Sequence, residues 1–306
     1  MKKFIPTLLL VALCIGSFWY ASSQDFFREK VEGPKVLVTV NPADVRAISV
    51  QTLDNQVELK VSDQVWTMTK PSAMPINTYM VGNWVDALSL LTAEKVIEEN
   101  VANLANYGLD QPMQVFKVTL QDGSTKAIEV GAALPIEGYY YAKVEGSATV
   151  YQVGEQALAS LNKAPLEFMD STPVKLDQDQ VKSMKLTWKG QSWSLVKSNA
   201  DKPAIEAGWK LGEKELQGSE ASQLIGKLVF LSTSDPVKKA AEINLDASEL
   251  AVEFVLAEDG TDSTRMYRGK LLEEQVWLSQ QGEEWAYALP FADIQSLADQ
   301  LTELSK

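Results

Sequence analysis

The sequence predicts an α+β protein: two tandem homologous units of mostly antiparallel sheet with packed helices, preceded by one N-terminal transmembrane helix. Three observations lead to this prediction. Short runs of alternating apolar and polar residues recur along most of the chain, as in strands buried on one face. Two separated segments show the apolar spacing of amphipathic helices. The stretch YGLDQPMQVFKVTLQDG, which starts at residue 107, recurs in similar form as INLDASELAVEFVLAEDG, which starts 136 residues later at 243.

The N-terminal segment has the pattern of a membrane anchor. Two lysines precede an apolar run at residues 4–21. At about 1.5 Å per residue, this run is just long enough to cross the hydrocarbon core of a bilayer. We expect residues 1–22 to be a transmembrane signal anchor at the cell membrane, with the bulk of the chain extracytoplasmic. The alternatives are a cleaved secretory signal and a lipoprotein with Cys14 as the lipidated residue.

The remaining chain divides by pattern into four further parts. We expect a juxtamembrane spacer and first strand at 23–44, a first α+β repeat at 45–162, a join at 163–180 and a second α+β repeat at 181–306. In each repeat, short strands precede a helix, and hairpins and a closing helix follow it. The helices lie within INTYMVGNWVDALSLLTA in the first repeat and ASQLIGKLVFLS in the second.

Several separated blocks of the two repeats share the 136-residue offset. The dipeptide Leu-Asp at 109–110 recurs at 245–246, Tyr141 corresponds to Trp277, and Tyr151 corresponds to Tyr287. We interpret this as an internal duplication. Because the recurring positions are mostly core residue types, they predict a fold and not a reaction.

The composition excludes several classes of function. The chain has no histidine and one cysteine, which removes histidine-based nucleophilic catalysis, most zinc and copper sites, internal disulfides and iron–sulfur clusters. The formal charge is −13, and no Lys/Arg cluster suits nucleic acid. We therefore expect no catalytic residues, no metal and no cofactor, and we expect that the protein is not an enzyme.

Carboxylates are the remaining candidates for catalytic residues. Three pairs of glutamates, at 98–99, 273–274 and 283–284, are adjacent in sequence. Neighbours on a strand point to opposite faces, so such pairs rarely share a proton, and a solvated surface is the favoured interpretation. A hydrolase that uses two carboxylates brought together by the fold is the least favoured alternative.

The aromatic hairpin GYYYAKVEG is the most suggestive surface. Tyr139, Tyr141 and Lys143 alternate onto one strand face, and Trp277 stands at the position of Tyr141 in the second repeat. These four residues are the candidate interaction surface. The competing interpretation is that the tyrosines serve cross-strand packing.

The order of these motifs resembles a known family. The segments YGLDQPMQVFKVTLQDGSTKAIEVG and GYYYAKVEGSATVYQVGEQALASL in the first repeat are similar to the bacterial domain-of-unknown-function family 4340 (DUF4340). The second repeat looks like a degenerate copy, with VWLSQQGEEWAYAL in place of the tyrosine hairpin. The resemblance implies two tandem copies of the domain and membrane anchoring. Because some family members occur beside ABC-transporter components, it also implies an accessory role.

These observations predict a non-catalytic, membrane-anchored extracytoplasmic protein. We expect an accessory or scaffold subunit of an envelope complex such as an ABC-type transport system, whose components would be its partners. The alternative is a module that binds envelope polysaccharide or peptide, and exposed Trp and Tyr side chains in a groove between the two repeats would support it.

Overall fold

A computed structural model describes residues 14–20, 33–199, 201–258 and 260–306. Residues 14–20 are helical. Within these ranges, no helix is both long enough and apolar enough to cross a membrane. The predicted anchor at 1–22 lies mostly outside the described residues, as does much of the predicted spacer, and the anchor stays a prediction.

The first unit has a large antiparallel sheet and two helices. Its elements are β1 (Lys35–Val36), β2 (Val45–Gln51), β3 (Gln56–Ser62), β4 (Val65–Lys70), α1 (Thr78–Ser89), β5 (Thr92–Ala93), β6 (Lys95–Glu98), β7 (Gln114–Leu120), β8 (Thr125–Ala133), β9 (Tyr139–Val144), β10 (Val150–Gly154) and α2 (Glu155–Ala159).

The second unit is built in the same way. Its elements are β11 (Val181–Trp188), β12 (Gln191–Lys197), β13 (Trp209–Leu211), β14 (Lys214–Leu216), α3 (Gly218–Val229), β15 (Lys238–Lys239), β16 (Leu250–Glu258), β17 (Thr261–Leu272), β18 (Gln275–Gln280), β19 (Trp285–Pro290) and α4 (Phe291–Leu304).

The two sheets have matching strand orders. The first runs β4-β3-β2-β7-β8-β9-β10-β6 and the second runs β14-β13-β12-β11-β16-β17-β18-β19-β15. Strands β2, β7, β8 and β9 begin at residues 45, 114, 125 and 139, and their counterparts begin at 181, 250, 261 and 275, each 136 residues later. The predicted mostly antiparallel fold with a few helices is confirmed.

One helix of each unit covers the apolar face of its sheet through a stripe of buried side chains. In α1 the stripe is Val81, Trp84, Val85 and Leu88, and the Trp84 indole donates a 2.8 Å hydrogen bond to the carbonyl of Leu161. Asn77 caps the start of this helix, because its side-chain oxygen accepts a hydrogen bond from the backbone amide of Tyr79 in the first turn. Helix α3 buries an equivalent stripe, so each unit has its own core.

Strand β14 is the difference between the two orders. It returns antiparallel beside β13 through a tight turn in which Gly212 takes a φ of 62°. The sequence did not predict β14. The strand has three residues, two of them charged, so it shows too little alternation to be detected by pattern.

The join contacts both units. Its backbone amide at Asp170 donates to the carbonyl of Pro75, and the amide of Asn77 donates to the carbonyl of Phe168, both at 2.9 Å. On the other side, the amide of Thr233 donates to the carbonyl of Ser171 at 3.0 Å. These hydrogen bonds connect the segment after β4, the join and the segment after α3.

Candidate functional site

The predicted interaction residues of the first unit are largely covered. Lys143 is 7% exposed, and its ammonium lies 2.8 Å from a carboxylate oxygen of Glu129. Tyr139 and Tyr141 are half-buried, and the Tyr141 ring meets the ring of Tyr107 edge-on at 4.9 Å. The side chains of Tyr141 and Lys143 therefore engage neighbours within the unit.

Trp277 in the second unit is covered in the same way. It is 6% exposed and packs with Ile243, Leu245 and the alanines of β19. The ammonium of Lys238 lies 4.3 Å from the centre of its ring. In both units, the connection that precedes β7 or β16 covers this position. The interaction-surface hypothesis stays a prediction. Two other aromatic residues, Trp66 and Trp285, line a cavity.

A groove lies between the two units. It has a volume of about 420 Å³ and is lined in the first unit by residues 64–67 and 73–76 and in the second by Lys239, Glu284 and Trp285. We call this the seam groove. Its apolar lining residues include Met74, Pro75 and Ile76. It combines apolar walls with a few polar side chains, as ligand sites commonly do.

The first aromatic wall of the seam groove is Trp66. It lies in β4, the outermost strand of the first sheet. Because residues two apart on a strand share a face, its side chain points to the same side as the buried Met68. The indole is half-buried and packs against the first core while it also lines the groove. The core thus holds a partly exposed aromatic ring in place.

The second aromatic wall is Trp285, at the start of β19. The ammonium of Lys239 lies 4.0 Å from the centre of its ring and also forms an ion pair with Glu284. Both charged side chains are well exposed, so the ion pair contributes little stability. The pairing does, however, leave this wall without net charge.

Trp285 also lines a second cavity. It has a volume of about 240 Å³, and its lining includes Lys175, Arg265, Glu283 and Tyr287. Burial raises the pKa of Tyr287, and the nearby carboxylates add to this, so its hydroxyl stays protonated at neutral pH. Trp285 therefore lines both the seam groove and this second cavity, whose lining carries more charged side chains.

The acidic groups near the seam groove do not form a pair of carboxylates. Among its lining residues, Glu284 is the one carboxylic acid, and it is bound to Lys239. In the predicted glutamate pair at 98–99, Glu98 instead accepts a hydrogen bond from the Tyr107 hydroxyl, which raises the pKa of Tyr107. Across the described part of the chain, no three His, Cys, Asp or Glu side chains are grouped as they would be around a metal ion. The groove geometry suits binding by stacking and burial of apolar surface.

Comparison with known families gives one result. A family model described as Domain of unknown function (DUF4340) matches residues 66–248, more than half of the chain. The chain belongs to this family. The DUF4340 match begins in β4 and ends just before β16, so it crosses both units as one continuous span. No curated protein and no solved structure matches the chain.

The DUF4340 span includes part of the seam groove. Trp66, residues 73–76 and Lys239 lie inside it, and Glu284 and Trp285 lie beyond its end. Neither tryptophan was singled out from the sequence as a site residue. The sequence does carry a signal that β4 lies at an edge. The segment PSAMPI follows β4, and its two prolines argue against another strand there, whereas β13 is followed by GEKEL, which has no proline.

Proposed function

We propose that this DUF4340 protein is a non-catalytic accessory protein that binds a partner of the cell envelope in the seam groove. The observation that supports this is the pair of half-buried indoles, Trp66 and Trp285, that face one cavity between the two units. Trp is enriched at binding hot spots because it buries a large area and loses little conformational freedom. The fold holds both rings on sheet strands, so the site is organised before the partner arrives.

The membrane and compartment parts of the proposal come from the sequence. The apolar run at residues 4–21 supports a single-pass anchor, and the two lysines before it support an extracytoplasmic body. A net charge of −13 keeps the folded part away from anionic lipid headgroups. We propose that the partner is a membrane complex, with ABC-type transport components as the first candidates.

A crosslinking pull-down of the full-length protein from its native membrane tests this function. We expect recovery of membrane-complex subunits, and we expect Trp285→Ala to reduce that recovery because it removes one wall of the groove. Phe230→Ala is the matched control, since Phe230 is an aromatic residue that is 78% exposed and lies outside the groove lining. Equal recovery with both variants would contradict binding in the groove. Turnover of a cell-wall or glycan substrate by the purified protein would contradict the non-catalytic role.

The second candidate function is a module that binds envelope polysaccharide or peptide. The seam groove favours this candidate, because aromatic side chains in a groove between the two repeats are the feature it requires. Titration of cell-wall fragments against the intrinsic fluorescence of the full-length protein checks it. We expect Trp66→Ala to abolish a response that originates in the groove and Tyr141→Ala to leave it unchanged. The reverse pattern would assign binding to the tyrosine hairpin.

We further infer that the two units are copies of one α+β ancestor. The matching strand orders and the common 136-residue offset of four strand pairs support this inference. Our expectation from the sequence was two tandem DUF4340 copies, the second degenerate. The family model matches once, over residues 66–248, and this span covers neither unit completely.

A further inference from the structure

The outer strand of the first sheet lacks a neighbour that its counterpart has. In the second sheet, β13 lies between β12 and β14. In the first sheet, β4 pairs with β3 and ends the sheet. The second unit therefore shows what a strand looks like when it is added at this position.

Trp66 of β4 and Trp209 of β13 are equivalent residues. Each lies two positions before a core residue, Met68 or Leu211. Met68 pairs with Leu59 and Leu211 pairs with Leu195, and these two leucines are 136 residues apart. Trp209 is 1% exposed, pairs with Leu216 of β14, and donates an indole hydrogen bond of 2.8 Å. Trp66 has no such strand beside it and is half-buried. The exposed part of Trp66 is the area that an added strand would cover.

The backbone of β4 presents an open row of hydrogen-bonding groups at the same place. Strands β3 and β4 are joined by a two-residue turn, Asp63 and Gln64, with φ values of 50° and 66°. In such hairpins the two residues that flank the turn form a hydrogen-bonded pair. Along the strands, hydrogen-bonded pairs then alternate with pairs whose backbone groups point outward. The N–H and C=O groups of Trp66 and Met68 therefore point away from β3. Within the described structure, no backbone group pairs with them.

The chain's own following segment does not fill this edge. In the second unit, the residues after β13 turn back as β14. In the first unit, residues 71–77 leave β4 and bond to the join through the backbone groups of Pro75 and Asn77. Residues 73–76 also line the seam groove. The segment that follows β4 therefore lines the groove and does not pair with the edge.

We propose that an extended segment of a partner polypeptide adds to β4 as an antiparallel strand and places an apolar side chain against Trp66, as Leu216 is placed against Trp209. The proposal rests on the proposed binding role of the seam groove and names the chemistry of the ligand. A peptide satisfies both the outward backbone groups and the indole, because main-chain hydrogen bonds give affinity in strand addition and side-chain pockets give specificity. A glycan would stack on the indole and lacks the regular N–H and C=O pairs that match a strand edge.

A linear-peptide display library, selected against the full-length protein in lipid nanodiscs, provides the probe. We expect enriched peptides to slow hydrogen exchange at the Trp66 and Met68 amides by about tenfold or more at saturation, because these amides become hydrogen-bonded. Trp66→Ala should weaken peptide binding by about tenfold or more. Phe230→Ala should leave it unchanged.

N-methylation of the enriched peptide tests strand addition without altering the protein. We expect methyl groups at alternate residues to reduce affinity by about tenfold, since every second N–H faces the edge, and the residues between them to tolerate methylation. Loss without this alternation, or protection of other amides, would overturn the proposal. Protection of the same two amides by a second copy of the chain, without peptide, would also overturn it.

The outcomes separate this inference from the proposed function. If cell-wall oligosaccharides bind the groove and no peptide does, strand addition fails and the binding role of the groove stands. If neither binds and the membrane pull-down is insensitive to Trp285→Ala, both fail.

Discussion

The two large sheets share the order of eight strands and differ in how one edge is closed. In the second unit, β14 covers β13, and Trp209 is buried and hydrogen-bonded. In the first unit, residues 71–77 bond to the join, and Trp66 at the equivalent position lines a groove. A repeat can therefore keep its core pattern while a short connecting segment decides whether an aromatic residue serves the core or faces a cavity.

The tyrosine hairpin gives a second comparison. At the 136-residue offset, the buried pair Lys143 and Glu129 of the first unit corresponds to Ser279 and Arg265 of the second. Ser279 is a buried hydroxyl, and Arg265 pairs with Glu258. The second unit thus places a small neutral group where the first places an ammonium, and its arginine pairs with Glu258 of β16.

The largest expected difference between the units is in the stability contribution of the equivalent tryptophans. Trp209→Ala should lower the free energy of unfolding by about 3–5 kcal/mol, because it leaves a cavity in the second core. Trp66→Ala should cost roughly 1–2 kcal/mol, because part of the indole is already in water. Denaturant unfolding of the two variants, followed by circular dichroism, measures both values.

Trp84→Ala is the control for this comparison, since Trp84 is buried in the first core and its indole is hydrogen-bonded. It should cost about as much as Trp209→Ala. A cost for Trp66→Ala equal to that of Trp84→Ala would mean that the indole is fully part of the first core. The contrast between the open and the closed edge would then be wrong.

The fold could be predicted from the sequence where local pattern determines it. The alternating segments and the helical stripe around Trp84 specify elements, and the 136-residue offset specifies that the same order occurs twice. A groove between the repeats could be anticipated, but its lining residues could not, because they depend on hydrogen bonds between residues 75–77 and 168–170, which are far apart in sequence. The covering of Tyr141 by Tyr107 likewise depends on how a loop folds back onto a strand.

The next largest effect is expected at the buried ion pair of the first unit. Lys143→Met should cost about 2 kcal/mol, because it leaves the largely buried Glu129 carboxylate without its cation. The double variant Lys143→Met/Glu129→Leu should recover most of this loss, since two apolar side chains need no partner. Thermal and denaturant unfolding of the single and double variants measures the coupling.

The exposed pair Lys117 and Glu145 provides the matched control. Both side chains are 36% exposed, so Lys117→Met should cost less than about 1 kcal/mol. A cost for Lys143→Met as small as that of the control would show that burial of the pair is unimportant. The difference between Lys143 and Ser279 would then not affect the free energy of unfolding.

A smaller effect, of opposite sign, is expected in helices α1 and α3. A Cβ added at Gly82 of α1 would meet nothing within 4 Å, so Gly82→Ala should stabilise the protein by about 0.5–1 kcal/mol through helix propensity. A Cβ at Gly226 of α3 would lie 3.3 Å from the ring of Phe230 and from the amide nitrogen of Gln178. Gly226→Ala should therefore gain less or destabilise. Equal gains in melting temperature would contradict the tighter packing of α3.

The smallest effect is expected from a carboxylate of the second unit that has no counterpart in the first. Glu249 accepts hydrogen bonds of 2.9 Å from the Leu271 amide and the Lys270 ammonium, and these lower its pKa. The position that corresponds to Glu249 at the 136-residue offset, residue 113, is a methionine. Only the second unit therefore has a carboxylate at this position.

A carboxyl group with a lowered pKa in the folded state stabilises the fold above its unfolded pKa of about 4.3, and this contribution is lost as the pH falls through the folded pKa. Glu249→Gln should therefore reduce the free energy of unfolding by roughly a few tenths of a kcal/mol at neutral pH, since the group is partly exposed. The same variant should flatten the decline of stability with acidification below about pH 5. Unfolding measured from pH 3 to pH 7 gives both the stability loss at neutral pH and the change in acid dependence. Glu213→Gln in the β13–β14 turn is the exposed control. An unchanged acid profile would mean that these hydrogen bonds do not distinguish the second unit from the first.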